Sequence, residues 1–242
     1  MKTVIITGAS KGIGRKTAEI LAKDGYKVIA NYNKSEEQAM QLKKELNEQG
    51  IEIDLIKADV SKKEECERIV EYTIQKYSKI DVLINNAGIS NYGLFTDIKE
   101  TEIDKIMKTN LYSPMFMCQE VGKYMIREKN GCIINISSIW GMVGGSCEVA
   151  YSVSKAGVDG LTKALAKEWG PSNIRVNSIA PGMIKSEMNS RFSEDEENMI
   201  KKDIPLEKIG KPEDISKTIK WLIEDEYTTG QVISPNGGWV II

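Results

Sequence analysis

Tyr151 and Lys155 stand four residues apart in Tyr151-Ser152-Val153-Ser154-Lys155, a spacing that puts both side chains on one face of a helix. A phenol beside an ammonium is an acid–base pair. The neighbouring positive charge favours phenolate, so the tyrosine is expected to titrate below its usual value of about 10. Tyr151 would then serve as general acid toward a developing alkoxide and as general base in reverse. Upstream, the apolar run Cys132–Ile136 ends in Ser137-Ser138, and the Ser138 hydroxyl can donate to a carbonyl oxygen and polarise it. A second such pair, Tyr72 and Lys76, has Asp59 where the serine would fall, and it reads as a surface pair. Chance alone yields about one Tyr-x-x-x-Lys in a chain of this composition, so context has to separate the two.

Composition narrows the alternatives. The 242 residues contain no histidine, which removes Ser-His-Asp hydrolysis, Cys-His proteolysis and His-ligated zinc. Cys66, Cys118, Cys132 and Cys147 never form C-x-x-C and read as reduced packing residues. Acid–base work is left to Tyr, Lys, Asp, Glu or Ser. The formal net charge of −2 gives no basic surface for nucleic acid. No apolar run reaches the roughly 20 residues of a membrane helix. Met1–Ile6 reads as a strand rather than a signal peptide, and a cytoplasmic location is expected.

The elements that must position the pair come from the apolar pattern. Continuous apolar runs at Val4–Thr7, Lys27–Asn31, Ile53–Lys57, Val82–Asn85, Cys132–Ile136, Arg175–Ala180 and Gln231–Ser234 suit parallel strands covered on both faces. Between them, Gly14–Lys23, Glu36–Gln49 (with Ser35 as N-cap) and Lys62–Tyr77 carry helical periodicity. The prediction is one α/β domain over 1–242. It is a Rossmann-type doubly wound parallel sheet of about seven strands with helices on both faces. The Met183–Pro212 stretch is polar and irregular, and 183–211 is expected to act as a substrate lid.

The first strand enters Thr7-Gly8-Ala9-Ser10-Lys11-Gly12-Ile13-Gly14 and then a helix. Gly8 permits a tight turn, Gly12 lets the backbone approach a pyrophosphate, and Gly14 allows close helix–strand packing. The helix N-terminus offers its N–H groups to the phosphates. A plain βα turn would also explain these glycines. The other strand ends corroborate the dinucleotide reading. After the second strand, Asn33 and Lys34 stand where an NAD-selecting carboxylate would fall. With Lys11 and Arg15 they form a cationic patch suited to a 2′-phosphate, hence NADP(H), with NAD(H) as the alternative. Four solvated basic residues would look the same in sequence. The third strand ends in Ala58-Asp59-Val60, where Asp59 could accept from the adenine amino group. The fourth ends in Asn85-Asn86-Ala87-Gly88, small enough for the cofactor to cross the sheet.

In order and spacing, Thr7-Gly-x-x-x-Gly-x-Gly14, Asn85-Asn-Ala-Gly88, Asn110, Ser138, Tyr151-x-x-x-Lys155 and Pro181-Gly182 resemble the short-chain dehydrogenase/reductase family over essentially the whole chain. The resemblance implies a catalytic tetrad of Asn110, Ser138, Tyr151 and Lys155. In it, Lys155 also binds the nicotinamide ribose and Asn110 holds a water that links Lys155 to solvent. It further implies that Pro181, Gly182 and Ile184 line the nicotinamide, with Ser186 where the family often has threonine.

Within the family the chain is most similar to bacterial 3-oxoacyl-(acyl-carrier-protein) reductases of fatty-acid biosynthesis. The likeness rests on length, the glycine turn, Asn31-Tyr32-Asn33 and the C-terminal Asn236-Gly237-Gly238. It implies a ketone substrate carried by an acyl carrier protein, with Lys129 meeting that acidic partner. Ser172 departs from the pattern where a second basic residue is common, and the segment 224–230 is shorter than usual. A free small-molecule ketone, sugar or secondary alcohol is the alternative substrate. An NAD-using epimerase and a non-catalytic dinucleotide-binding regulator are the readings from other classes. The resemblance also implies a homotetramer or homodimer built on the helices Leu111–Arg127 and Tyr151–Trp169. Met115, Phe116, Met117 and Met125 suit either that interface or a buried core.

Overall fold

The computed structural model of the protein describes residues 1–189 and 192–242. Its strands are β1 (Thr3–Ile6), β2 (Lys27–Tyr32), β3 (Asp54–Lys57), β4 (Val82–Asn85), β5 (Gly131–Ile136), β6 (Ile174–Ile179) and β7 (Val232–Ile233). They form one parallel sheet in the order β3-β2-β1-β4-β5-β6-β7. The chain first works outward from β1 to β3, then crosses back to β4. That reversal opens a crevice at the C-terminal ends of β1 and β4, the place where open α/β sheets bind ligands.

The strands lack polar–apolar alternation because both faces are covered. Val4 and Ile6 of β1 join a core with α1 (Gly12–Lys23), α2 (Glu36–Asn47) and α9 (Pro212–Glu224). Ile5 points the other way, into a core with α3 (Lys63–Tyr77), α5 (Ser113–Glu128) and α7 (Val149–Trp169). Met117 and Met125 are fully buried in this second core, whereas Met115 is exposed. Of the four cysteines, Cys66, Cys118 and Cys132 are packing residues as expected. Cys147 is not: it is partly exposed, at a left-handed φ of 60°.

Sequence boundaries shift by a residue or two at most strand ends, and two local readings change. Ser35 sits at the N-cap of α2 but makes no side-chain cap there. Its ψ of 64° is not the extended conformation that aims a hydroxyl back at the first turn. The 183–211 stretch is more ordered than its composition suggests. It holds a 3-10 turn at Glu187–Asn189 and the helix α8 (Glu194–Asp203). Ser193 caps α8 reciprocally with Glu196. The acidic run that reads as irregular is the favourable first turn of that helix. Ser190 and Arg191 lie outside the described residues.

The turn after β1 is built on close approach. Gly8 and Gly12 have φ of +64° and +53°. A Cβ on Gly14 would lie 2.4 Å from both the Gly8 carbonyl oxygen and Asn86 Nδ2. We predict that Gly14→Ala lowers stability by about 1–3 kcal/mol, because the obstruction is backbone and a fully bonded amide. Urea unfolding measures this, and a midpoint equal to the wild type would refute it.

Candidate active site

The crevice is tied together by Thr7 and Asn86. Thr7 Oγ1 accepts from the Asn86 and Ala87 backbone N–H groups, each at 3.0 Å. Asn86 Nδ2 donates back to the Thr7 and Gly8 carbonyls at 3.0 and 2.9 Å. Asn31, at the end of β2, accepts from Gly8 N at 3.3 Å and donates to the Ala58 carbonyl at 3.0 Å. Three strand ends are thereby fixed relative to the glycine turn. At the N-terminus of α1, Lys11 supplies no side-chain cap, so the first N–H groups keep their donors for an anion. A Cβ built on Gly12 would meet only Ser186 Cβ, at 3.7 Å. The turn is thus open on one side, with Ser186 beside it, and fits a pyrophosphate.

The second part gathers at the end of β5. Ser138 caps α6 (Ile139–Val143), its Oγ accepting from Trp140 N at 3.2 Å, and its hydroxyl favours the phenolate form of Tyr151. Tyr151 and Lys155 lie on the first turns of α7, with the Lys155 Nζ 5.6 Å from the phenol ring centroid. Lys155 is only 4% exposed, and its Nζ donates to the Ile136 carbonyl at 2.7 Å.

Asn110 enters from a π-helical turn, Lys108–Tyr112, between α4 (Glu100–Met107) and α5. Such turns recur at functional sites because they re-aim a side chain. Its amide donates to the Ile89 carbonyl and Ser154 Oγ at 2.8 and 3.1 Å. Its oxygen accepts from Ile89 N at 2.8 Å. A Cβ on Gly88 would stand 3.4 Å from the Lys155 Nζ and 3.5 Å from Asn110 Oδ1. The bare glycine is where the dinucleotide crevice meets the acid–base group. All four residues of the expected tetrad therefore converge.

The electrostatics differ from the simple expectation for a Tyr-x-x-x-Lys pair. Burial pushes the Tyr151 phenol up to about 12, outweighing the Ser138 hydrogen bond that favours phenolate. Burial likewise draws the Lys155 ammonium down to about 8, opposed by the charge of Asp159. The expected lowering of Tyr151 is not found, because the ammonium bonds a main-chain carbonyl beside the ring. Desolvation is the larger effect on both groups.

The adenosine end also departs from the sequence picture. Lys11 is paired with Glu187. Arg15 bonds the Gln38 carbonyl at 3.0 Å and Glu45 at 2.6 Å. Asn33 and Lys34 are exposed, and Asn33 helps hold the Asp59 carboxylate below its usual range. Asp59 also accepts from Ser61 N and Oγ at 3.1 and 2.7 Å. The patch exists, but two of its cations are held by carboxylates, and Asp59 organises its own turn. Val60 and Ile184 are buried apolar core residues, so their side chains pack rather than face the crevice. Pro181 accepts from Ile139 N at 3.1 Å, and Gly182 lies against Asn236, which brings both beside Ser138. Tyr72 and Lys76 lie apart from all this, with Lys76 paired to Asp54 at 2.6 Å.

Comparison with known proteins decides the family. A sequence profile of short chain dehydrogenases matches residues 2–197. The chain belongs to the short-chain dehydrogenase family. It is 40% identical over 242 residues to the 3-oxoacyl-(acyl-carrier-protein) reductase FabG of Thermotoga maritima, covering 99% of this chain and 98% of that one. It is 39% identical over 239 residues to the FabG of Staphylococcus epidermidis, with 98% of each covered. It is 36% identical over 241 residues to the uncharacterized oxidoreductase YmfI of Bacillus subtilis, again with 98% of each covered. This short-chain dehydrogenase is accordingly an NAD(P)-dependent oxidoreductase acting on CH–OH and C=O groups.

Sequence reasoning missed Thr7 and Asn31 as organisers of the dehydrogenase crevice. The available signal was a polar residue at the C-terminal end of an otherwise apolar strand. It also missed the Trp140–Trp239 edge contact, with ring centroids 5.2 Å apart. That pair joins the segment after Ser138 to the C-terminal tail, which no local pattern links.

Lys155 provides a test in the cofactor-free protein. The unfolded lysine binds a proton up to about pH 10.5 and the folded one only up to about pH 8. The penalty is therefore complete below pH 8 and fades as pH rises toward 10.5. Losing it would return about 3 kcal/mol, less about 1 kcal/mol for the abandoned Ile136 carbonyl. Lys155→Met should be more stable than wild type by about 2 kcal/mol at neutral pH, and the gap should close as pH rises toward 10. Urea unfolding at several pH values checks both parts, and a destabilised Lys155→Met at neutral pH contradicts the account.

Proposed function

We propose that this short-chain dehydrogenase is an NADP(H)-dependent carbonyl reductase that converts 3-oxoacyl thioesters to 3-hydroxyacyl thioesters, with an acyl carrier protein presenting the substrate. One observation carries the chemistry. The Ser138 hydroxyl, held by Trp140 N–H, bears on the Tyr151 phenol at the end of β5, beside a buried ammonium. A carbonyl oxygen that inserts between those hydroxyls accepts from both. Ser138 polarises it, and Tyr151 delivers the proton as the oxygen becomes an alkoxide. A phenol near 12 keeps its proton until that charge develops.

When bound, the nicotinamide supplies the hydride that reduces the carbonyl carbon. Lys155 orients the ribose and, through its charge, stabilises the phenolate left behind. Asn110 holds the loop after β4 in register through Ile89, and its π turn provides the position for a water that returns the proton. Gly8, Ser10, Lys11, Gly12, Ile13 and Gly14 would hold the pyrophosphate. Asn33, Lys34 and Arg15 would hold the 2′-phosphate once the exposed Glu45 pair opens. Such pairs are worth at most about 1 kcal/mol, so a phosphate can replace the carboxylate.

The acyl-carrier reading draws support from the named activity of the FabG relatives and from Lys129, whose carbonyl accepts from Asn173 at 3.3 Å. Ser172 next to that contact is uncharged, which favours a second reading in which a ketone not bound to a carrier is the substrate. We assign the lid to 183–211, because α8 buries none of its residues. A cytoplasmic homotetramer or homodimer completes the proposal, with exposed Met115, Val149 and Val153 on the helices that would meet.

Loss of reduced-nicotinamide absorbance with a short 3-oxoacyl thioester should proceed with NADPH and far more slowly with NADH. Tyr151→Phe should lose at least about a thousandfold in kcat with NADPH affinity within about twofold. A NADH preference overturns the phosphate assignment, and an active Tyr151→Phe overturns the acid. Equal rates with carrier-bound and carrier-free thioesters select the second reading.

A further inference from the structure

The four tetrad side chains leave one buried ionisable group on the same helix unused. Asp159 is only 6% exposed and lies one turn beyond Lys155 on α7. Its Oδ1 accepts from Ser178 Oγ of β6 at 2.6 Å, with the Ser137 side chain close by. Ser137, at the end of β5, donates in turn to the Lys155 carbonyl at 3.2 Å. A helix carboxylate buried against a dehydrogenase sheet, held by one strand-end serine and in no ion pair among the described residues, is an expensive arrangement without a purpose.

The surroundings of Lys155 supply that purpose. From α7 it faces the Tyr151 ring and Asp159. From β5 it meets the Ile136 carbonyl, and on the side of the loop after β4 the space at Gly88 is shared with the neutral amide of Asn110. Glu148, a turn earlier, bears on Tyr151, and exposed Lys163 bears on Asp159. Asp159 is the charge that acts on the ammonium.

We propose that Asp159 is the counter-charge of the active-site ammonium, a positioning residue that keeps Lys155 protonated inside the fold and thereby sets the upper pH limit of carbonyl reduction. Burial raises its titration, and the Ser178 hydrogen bond opposes that rise. Because the Lys155 ammonium has no contact carboxylate, removing a charge one turn away acts on it through a low-dielectric interior rather than through solvent. The kinetic consequence rests on the carbonyl-reductase reading; the charge relation does not.

The test is a titration of isotope-labelled lysine side chains by NMR in the cofactor-free protein, with the Lys155 signal identified by its absence in Lys155→Met. In Asp159→Asn, Lys155 should titrate at least about half a pH unit lower than in wild type. Asp159→Glu should restore most of the difference. Ser178→Ala, which keeps the charge, should lower stability while shifting Lys155 far less. In carbonyl reduction, the wild-type to Asp159→Asn rate ratio should grow as pH rises, because the variant loses its protonated lysine first. If Asp159→Asn does not fold, Asp159→Ser, which leaves room for water, carries the same measurement. An unchanged or raised Lys155 titration overturns the proposal. A lowered titration in a protein that reduces no ketone leaves the counter-charge standing and removes the reductase reading instead.

Discussion

Lys155 brings an ammonium almost out of contact with water and gives it one main-chain carbonyl, that of Ile136, at 2.7 Å. Burying a charge on such terms is costly, and much of the surrounding architecture answers to it. The carbonyl is available because β5 ends at Ile136, leaving the following residues to turn away into α6. The ammonium reaches it because α7 lies across that strand end. Asn110 keeps the loop after β4 from collapsing into the space, and Gly88 makes the space possible. The same lysine that weakens the fold is the one the proposed chemistry needs charged. That is the usual relation between an active site and the stability of the scaffold that carries it.

The dinucleotide crevice and the acid–base site are one mechanical unit. Thr7, Gly8, Gly14 and Asn86 interlock the β1 turn with the loop after β4 at distances that leave no space for a Cβ. That loop continues through Gly88 to Lys155 and through Ile89 to Asn110. The glycine turn and the Asn110 amide are thus joined through side-chain-to-backbone hydrogen bonds of Thr7, Asn86 and Ile89. Deeper in the sheet, Asn85 donates to Asn135 at 2.9 Å, and Asn135 to Thr162 at 2.8 Å. This polar ladder fixes β4, β5 and α7 in the register that brings Ser138 to Tyr151.

What was legible in the sequence followed from local constraints. Strand runs, glycine spacing and the Tyr151–Lys155 helical offset each have a local physical cause, so the sheet and the tetrad could be read directly. Long-range reciprocity could not. Thr7 reads as the last residue of a strand until Asn86 is placed opposite it. Asn31 and Asn85 read as odd polar residues until their partners across the sheet are known. The titration of Tyr151 ran against the sequence argument for the same reason. Spacing along a helix places the ammonium near the phenol, but only the fold reveals that a carbonyl takes its hydrogen bond and that burial governs both groups. The acidic run within 183–211 reads as irregular because a concentration of acidic residues is also what a well-capped helix start looks like.

The two ends of the crevice use charge in opposite ways. At the acid–base end the ammonium is shielded, its partners are fixed, and small changes in a neighbouring charge act with little screening. At the adenosine end Lys11 and Arg15 are paired with Glu187 and Glu45, carboxylates that are largely exposed and therefore readily exchanged for another anion. An exposed ion pair holds a long basic side chain in place while contributing little to stability, so under the proposed NADP(H) reading an incoming phosphate would meet cations that are already positioned. A buried pair there would resist the exchange, and an exposed lysine at the other end would lose its leverage on the phenol. Exchangeable ion pairs at one pole and a buried, carbonyl-bonded ammonium at the other thus share a single sheet edge.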